Sequence, residues 1–207
     1  MALFDKLFGS RPGDHPESRL PAERQAAVDA SSSAHEAARL LRAPTALMLL
    51  SEAEALVVVG FMRPRRFKHG TTIIRQGEAD DTGYMVLVLN GEVTVENVIA
   101  RRNDPVTLNV LGPGSLIGEM ALVDGGARSA SCTASTTVDC AVLTREALEA
   151  LIAEQPATAA KLMTAVAQRL ADRLRENAQK LQVYGQLVQT MQQEIDSLMP
   201  TPDKRPR

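Results

Sequence analysis

The sequence predicts a mainly β protein with flanking helices: an antiparallel, jelly-roll-like β-roll followed by a long C-terminal dimerisation helix. Three observations predict it. Short, apolar, strand-like runs recur at close intervals from Tyr84 to Leu143. A heptad pattern of apolar residues then takes over and persists from Ala160 to Leu198. The composition suits a small aliphatic core, with 44% hydrophobic residues but only 3% aromatic ones and no Trp.

In chain order, Met1, Leu3, Phe4, Leu7 and Phe8 put an apolar stripe on one face of a short helix. Residues 1–9 are therefore expected to dock weakly on a membrane surface or another protein, or to pack on their own roll. Residues 9–34 mix Gly, Pro, Ser, Ala and charges without a sustained apolar period, so residues 1–43 read as a flexible extension. Thr45 to Met62 reads as a helix, with Ser51 and Glu54 in capping-box spacing ahead of Ala55-Leu56-Val57-Val58-Val59. The basic run Arg63-Pro64-Arg65-Arg66-Phe67-Lys68 reads as a solvated loop, with contact to an acidic partner surface as the alternative. Between Tyr84 and Val95 an apolar run is broken by Asn90-Gly91, the dipeptide of a type I′ turn, which predicts two paired strands. Thr107–Leu111 and Thr137–Leu143 are further strands of the roll.

The chemistry concentrates in residues 118–130. Gly112-Pro113-Gly114 bends the chain, and a short helix starting near Gly118 aims unpaired N–H groups and its positive end outward, where an anion is favoured. Arg128 lies nine residues after Glu119 and brings a permanent charge in a planar fork that suits two phosphate oxygens. Glu119 only accepts hydrogen bonds, and a ribose hydroxyl is its natural partner. Together these groups suit a small sugar phosphate.

The stretch Gly118-Glu119-Met120-Ala121-Leu122, a short insert, then Arg128-Ser129-Ala130 resembles the phosphate-binding cassette of the cyclic nucleotide-binding domain family. Gly70, Ile73, Gly77-Glu78, Asp81, Tyr84 and Gly91 fall at the spacings of that family's first strands and turns. The resemblance covers residues 44–155 and implies that Glu119 takes the ribose 2′-hydroxyl, Arg128 the cyclic phosphodiester, and the backbone of Gly118, Glu119 and Ala130 the remaining oxygens. Met120 and Ala121 complete the helix of the cassette. Ala127, at a position often Pro or Gly in the family, and the flexible insert Asp124-Gly125-Gly126 are departures. The implied ligand is a cyclic purine nucleotide, cAMP favoured and cGMP as the other candidate, with no metal. Similarity to the catabolite activator branch implies that Arg173 and Leu174 reach the base. Ser129 is compatible with either purine.

From Pro156, the residues Ala160, Met163, Ala167, Leu170, Leu174, Asn177, Leu181, Tyr184, Val188, Met191, Ile195 and Leu198 alternate spacings of three and four. This seam over residues 156–199 predicts a parallel homodimer, with Asn177 fixing register and Gly185 a local weak point. Residues 200–207 form a basic tail too short for a recognition helix, so sequence-specific DNA binding is not expected.

Several classes are excluded on composition. A net charge of −2 gives no general pull toward nucleic acid. Cys132 and Cys140 are too few for a four-cysteine cluster and read as buried thiols, and the scattered His15, His35 and His69 support neither a metal site nor a nucleophile relay. No phosphate loop or dinucleotide fingerprint is present, so no enzyme is expected. Without a secretory signal or an apolar run long enough to span a bilayer, the chain reads as cytoplasmic. The expected activity is that of a sensor: ligand closes the cassette, shifts a hinge near residues 145–160, and signals through an unknown downstream protein. The alternatives are a DNA-associated regulator acting through basic residues or a partner, a cyclic di-GMP receptor, and a structural dimeric scaffold.

Overall fold

In the computed structural model, residues 30–80, 82–98 and 105–198 are described, together with Arg24, Ala26 and Val28. The apolar stripe of residues 1–9, Asp81 and the basic tail 200–207 lie outside the described residues. The chain divides into two units, Met1–Ala167 and Gln168–Arg207.

The described residues of the first unit hold eight strands: β1 (Arg63–Phe67), β2 (Thr72–Ile74), β3 (Tyr84–Asn90), β4 (Val93–Val98), β5 (Pro105–Leu111), β6 (Leu116–Ile117), β7 (Ser131–Ala134) and β8 (Val138–Thr144). They form two four-stranded sheets, ordered β1-β8-β3-β6 and β2-β7-β4-β5, with antiparallel pairing throughout. Helices α1 (Ser32–Leu41) and α2 (Glu52–Gly60) precede the roll, α3 (Glu119–Asp124) interrupts it between β6 and β7, and α4 (Arg145–Glu154) follows it. A final helix, α5 (Pro156–Leu198), begins in the first unit.

Between the sheets lies an aliphatic core of Ile73, Ile74, Val86, Val88, Val93, Ile117, Ala134 and Val138, joined by both cysteines. Because side chains alternate along a strand, Met85, Leu87, Ala141 and Leu143 face the other side of the first sheet, and they too are buried. Helices cover that face, α1 through β3 and α4 through β8. Burial of Cys140 pushes its thiol up to about 12, with the Asp139 carboxylate adding to the shift, so it is an inert apolar filler.

Four expectations need correction. Strands β3 and β4 are not a hairpin: they lie in different sheets, and Asn90-Gly91 turns the corner between them. Gly91 adopts φ 87°, and a Cβ there would sit 2.3 Å from the Thr137 carbonyl oxygen. The corner is thus pressed onto the β7–β8 turn, which crosses between the same two sheets, and hydrogen bonds from Glu92 N to Thr136 Oγ1 (2.9 Å) and from Ser135 N to Glu92 O (2.9 Å) stitch them.

The helix expected from Thr45 begins only at Glu52. The capping box decides its start, with Glu54 N donating to Ser51 Oγ at 3.3 Å and Ser51 N to the Glu54 carboxylate at 2.7 Å. The basic run is strand β1 rather than a loop; it pairs with β8, and Arg66 forms a bidentate pair with the buried Asp139.

The extension expected to be flexible contains α1, capped by Ser31. Ala34, Ala37, Ala38 and Leu41 recur at helical spacing and are all buried. Upstream, the Arg24 guanidinium lies 4.2 Å from the Phe61 ring centroid and donates to Glu154 Oε2 at 2.8 Å. Gly60 permits this approach, since a Cβ there would stand 3.3 Å from Val28 Cγ2.

Helix α5 shows two faces. In its first turns it buries Ala159, Leu162, Ala165 and Val166, and Lys161 Nζ donates to both Glu54 oxygens at 2.8 Å. None of those four residues belongs to the heptad seam. In the second unit the seam residues Leu174, Leu181, Tyr184, Val188, Met191, Ile195 and Leu198 are between 50% and 76% exposed, with Val183 and Leu187 beside them at 60% and 54%.

Candidate functional site

Strand β6 runs into Gly118, which caps α3 in the left-handed conformation (φ 79°), and Gly125 ends the helix in the same conformation (φ 67°). Such a short helix with a glycine at each end has little stability of its own and takes its shape from what it packs against. It buries Ala121, Leu122 and the side chain of Glu119, which is only 1% exposed, and turns Met120 and Val123 outward. An acidic first residue suits the positive end of the helix.

Arg128 is just 5% exposed. Its Nη1 donates to the carbonyl oxygens of Gly118 (3.0 Å) and Tyr84 (3.2 Å), its Nη2 donates to Tyr84 O (3.2 Å), and its guanidinium stacks 4.2 Å from the Tyr84 ring centroid. The backbone around it is pinned as well, with Arg128 N donating to Glu78 O (2.9 Å) and Gly77 N to Arg128 O (2.8 Å). Only glycine fits at 118: beyond its φ, a Cβ would lie 2.6 Å from Arg128 Nη1 and 3.0 Å from Tyr84 O. The Tyr84 hydroxyl donates to Ile73 O at 3.0 Å, and burial raises its pKa against the opposing pull of the Arg128 charge, so the phenol remains a donor.

The structure therefore gathers Gly118, Glu119, Met120, Ala121, Arg128, Ser129 and Ala130 on one loop, helix and strand start. Ser129 Oγ lies 4.0 Å from the Met120 sulfur. Arg173 and Leu174 belong to the second unit, where both are exposed. Two residues that the sequence reading did not assign to the site complete its frame. Tyr84 supplies a ring and a carbonyl to Arg128, and Arg145 Nη2 donates to Ala121 O at 3.2 Å. Their contacts span 44 and 24 residues, and no local pattern signals either.

A pre-placed, nearly buried guanidinium and carboxylate beside a glycine-bounded helix start can hold an anion and a hydroxyl. Among the described residues no group of His, Cys, Asp and Glu could hold a metal ion, and no helix is long and apolar enough to cross a membrane.

A two-sheet roll interrupted by this helix and arginine defines a ligand-binding regulatory domain. Residues 64–155 match the cyclic nucleotide-binding domain, and the chain belongs to that family, one of binding domains rather than of enzymes. Among its relatives is the CRP-like cAMP-activated global transcriptional regulator of Mycobacterium tuberculosis, 29% identical over 109 residues, which cover 53% of this chain and 47% of the relative. The cyclic AMP receptor protein of Thermus thermophilus is 34% identical over 123 residues, 59% of this chain and 56% of that protein. Among solved structures, a cyclic nucleotide-binding domain from Methylobacillus flagellatus shares 30% identity with a TM-score of 0.62, covering 73% of this chain and 83% of that one. The chain spans about half the length of the curated relatives it matches.

Proposed function

We propose that this chain is the input module of a cytoplasmic cyclic purine nucleotide sensor, with cAMP favoured over cGMP. The observation that carries this reading is the buried Arg128 beside Gly118 and Glu119. Arg128 rests on two neutral carbonyl groups, and a cyclic phosphodiester offers the same N–H groups a charged acceptor, which makes roughly twice as strong a hydrogen bond. The backbone of Gly118, Glu119 and Ala130 takes the remaining oxygens, Glu119 accepts from the ribose 2′-hydroxyl, and Met120 and Ala121 shape the helix that presents them. Arg173 and Leu174 contact the base, with Ser129 beside the phosphate compatible with either purine. The relatives named for cAMP support the choice of nucleotide.

Output runs through protein contact. The uncovered seam of α5 pairs in parallel with that of a second copy, making a homodimer through residues 156–199, and the bound state reaches a downstream protein through it. Residues 1–9 give this assembly a weak docking contact to protein or membrane.

The test is calorimetric titration of cAMP, cGMP and cyclic di-GMP into the natural chain and into Arg128→Ala. Losing a charge-assisted phosphate contact costs on the order of 1.5 to 3 kcal/mol, a roughly tenfold to hundredfold drop in affinity. No heat with any nucleotide overturns the sensor reading, equal binding by both proteins overturns the site, and heat with cyclic di-GMP alone changes the ligand. The likeness to a transcriptional regulator supports a second reading, DNA association, which a gel shift with and without nucleotide tests.

A further inference from the structure

Helix α4 is held at both ends. At its start, Arg145 reaches back to the cassette, where its Nη2 donates to Ala121 O at 3.2 Å; that carbonyl also accepts from Gly125 N at 2.9 Å, the bond that closes α3. The space for this arginine is carved by two glycines. A Cβ on Gly83 would stand 2.9 Å from Arg145 Nε and 3.1 Å from its Cβ, and one on Gly125 would stand 3.5 Å from its Nη2. Gly83 directly precedes Tyr84, whose carbonyl receives Arg128, so the guanidinium of Arg145 touches both the segment that seats Arg128 and the far end of the helix that starts at Glu119. A cation at a helix C-terminus is favourable, which keeps the tie closed. At the other end of α4, Glu154 is held by Arg24, and two residues later α5 begins.

We propose that Arg145 is the positioning residue that carries occupancy of the cassette to α4 and so to the first turns of α5; the inference rests on the nucleotide-binding reading given above. Glu119, Arg128 and their backbone touch the nucleotide. Arg145 does not, and acts by making α3 and α4 move as one piece. Any displacement of α3 on ligand binding is then felt at Glu154, and by reciprocity any release of Glu154 is felt by the ligand.

The test is a double-mutant cycle on the full chain, read as cAMP affinity by calorimetry for wild type, Glu154→Gln, Arg145→Gln and the pair. With Arg145 in place, releasing Glu154 from Arg24 shifts the affinity by about fivefold or more, the lower end of the usual range of coupled sites. In the Arg145→Gln background the shift disappears. Arg145→Lys, which keeps a charged donor for Ala121 O, restores part of it, whereas Gly83→Ala, which displaces the guanidinium without removing it, abolishes it again. Amide exchange of residues 145–167 responds to cAMP in wild type and not in Arg145→Gln, a difference that a merely stabilising side chain would not produce. An equal Glu154→Gln shift in both backgrounds, or a nucleotide response retained by Arg145→Gln, overturns the inference while leaving nucleotide binding intact. A wild-type chain that binds no nucleotide overturns the binding reading and this inference with it.

Discussion

The cassette and the second half of α5 spend their polar and apolar residues in opposite ways. Around Gly118 a carboxylate and a guanidinium are nearly buried and satisfied from within, while from Leu174 to Leu198 large apolar side chains stand in solvent on a helix that its own unit leaves uncovered. Burying a charge is costly unless partners are supplied, and exposing a long apolar stripe is costly unless a partner covers it. The first region has its partners in the same chain. The second finds no cover in its own unit, the difference on which the proposed roles of input and interface rest.

The widest break in this contrast is Leu181→Glu. In the proposed dimer, removing one leucine from each copy of the seam costs about 3 kcal/mol or more, roughly a hundredfold in dimer dissociation. Sedimentation should show a dimer for the natural chain and monomers for this variant, with nucleotide affinity at the cassette little changed. Arg128→Ala is the reciprocal case, losing binding as stated above while the sedimentation of the dimer stays the same. Gly118→Ala sharpens the account of the cassette, since a non-glycine residue in the left-handed conformation costs about 1 to 2 kcal/mol, and its Cβ also displaces Arg128. Thermal unfolding and titration should both weaken.

The smallest effect concerns the start of α5. Lys161, with help from Ser51, holds the Glu54 carboxyl down to about 2. A depressed carboxyl contributes stability that is present above its ordinary value of 4.5 and is lost as the pH falls toward 2. Amide protection in residues 156–167, relative to the intrinsic exchange rate at each pH, should therefore fall across that window in the natural chain, and Lys161→Ala should flatten the dependence.

Which parts of this were legible in the sequence follows from the range of the interactions. The cassette, the Ser51 capping box, strands β3, β4, β5 and β8 and the seam are marked by short-range residue patterns, whereas the basic run of β1 carries no apolar alternation. The destination of Asn90-Gly91 was not legible, because a type I′ turn and a corner between sheets use the same dipeptide. What separates them is the Thr137 carbonyl, brought against Gly91 from 46 residues away. The unbroken apolar run Met85-Val86-Leu87-Val88-Leu89 is the available hint, since a strand covered on both faces shows no alternation. Helix α1 was missed for a different reason: alanines carry its apolar period, and alanine contributes little to a hydrophobic pattern while being the strongest helix former. Tyr84 and Arg145 reach the cassette across 44 and 24 residues, a ring against a guanidinium and a guanidinium on a backbone carbonyl, contacts that leave no spacing pattern in the sequence.

The corner at Gly91 also sets the order in which the chain can fold. Because β3 and β4 cannot zip together on their own, β3 gains only its short pairing with β6 before β8 arrives, and β1 at the edge of the same sheet pairs with β8 alone. The sheet is therefore incomplete until β8 has been made, by which point the whole cassette is already in the chain. Pairings of such long sequence separation pay loop-closure entropy before any contact rewards them, which places the roll among slow folders, on the order of milliseconds to seconds. During synthesis the domain would remain unsealed until β8 arrives, and the site for the nucleotide and the floor beneath it would appear in a single late step.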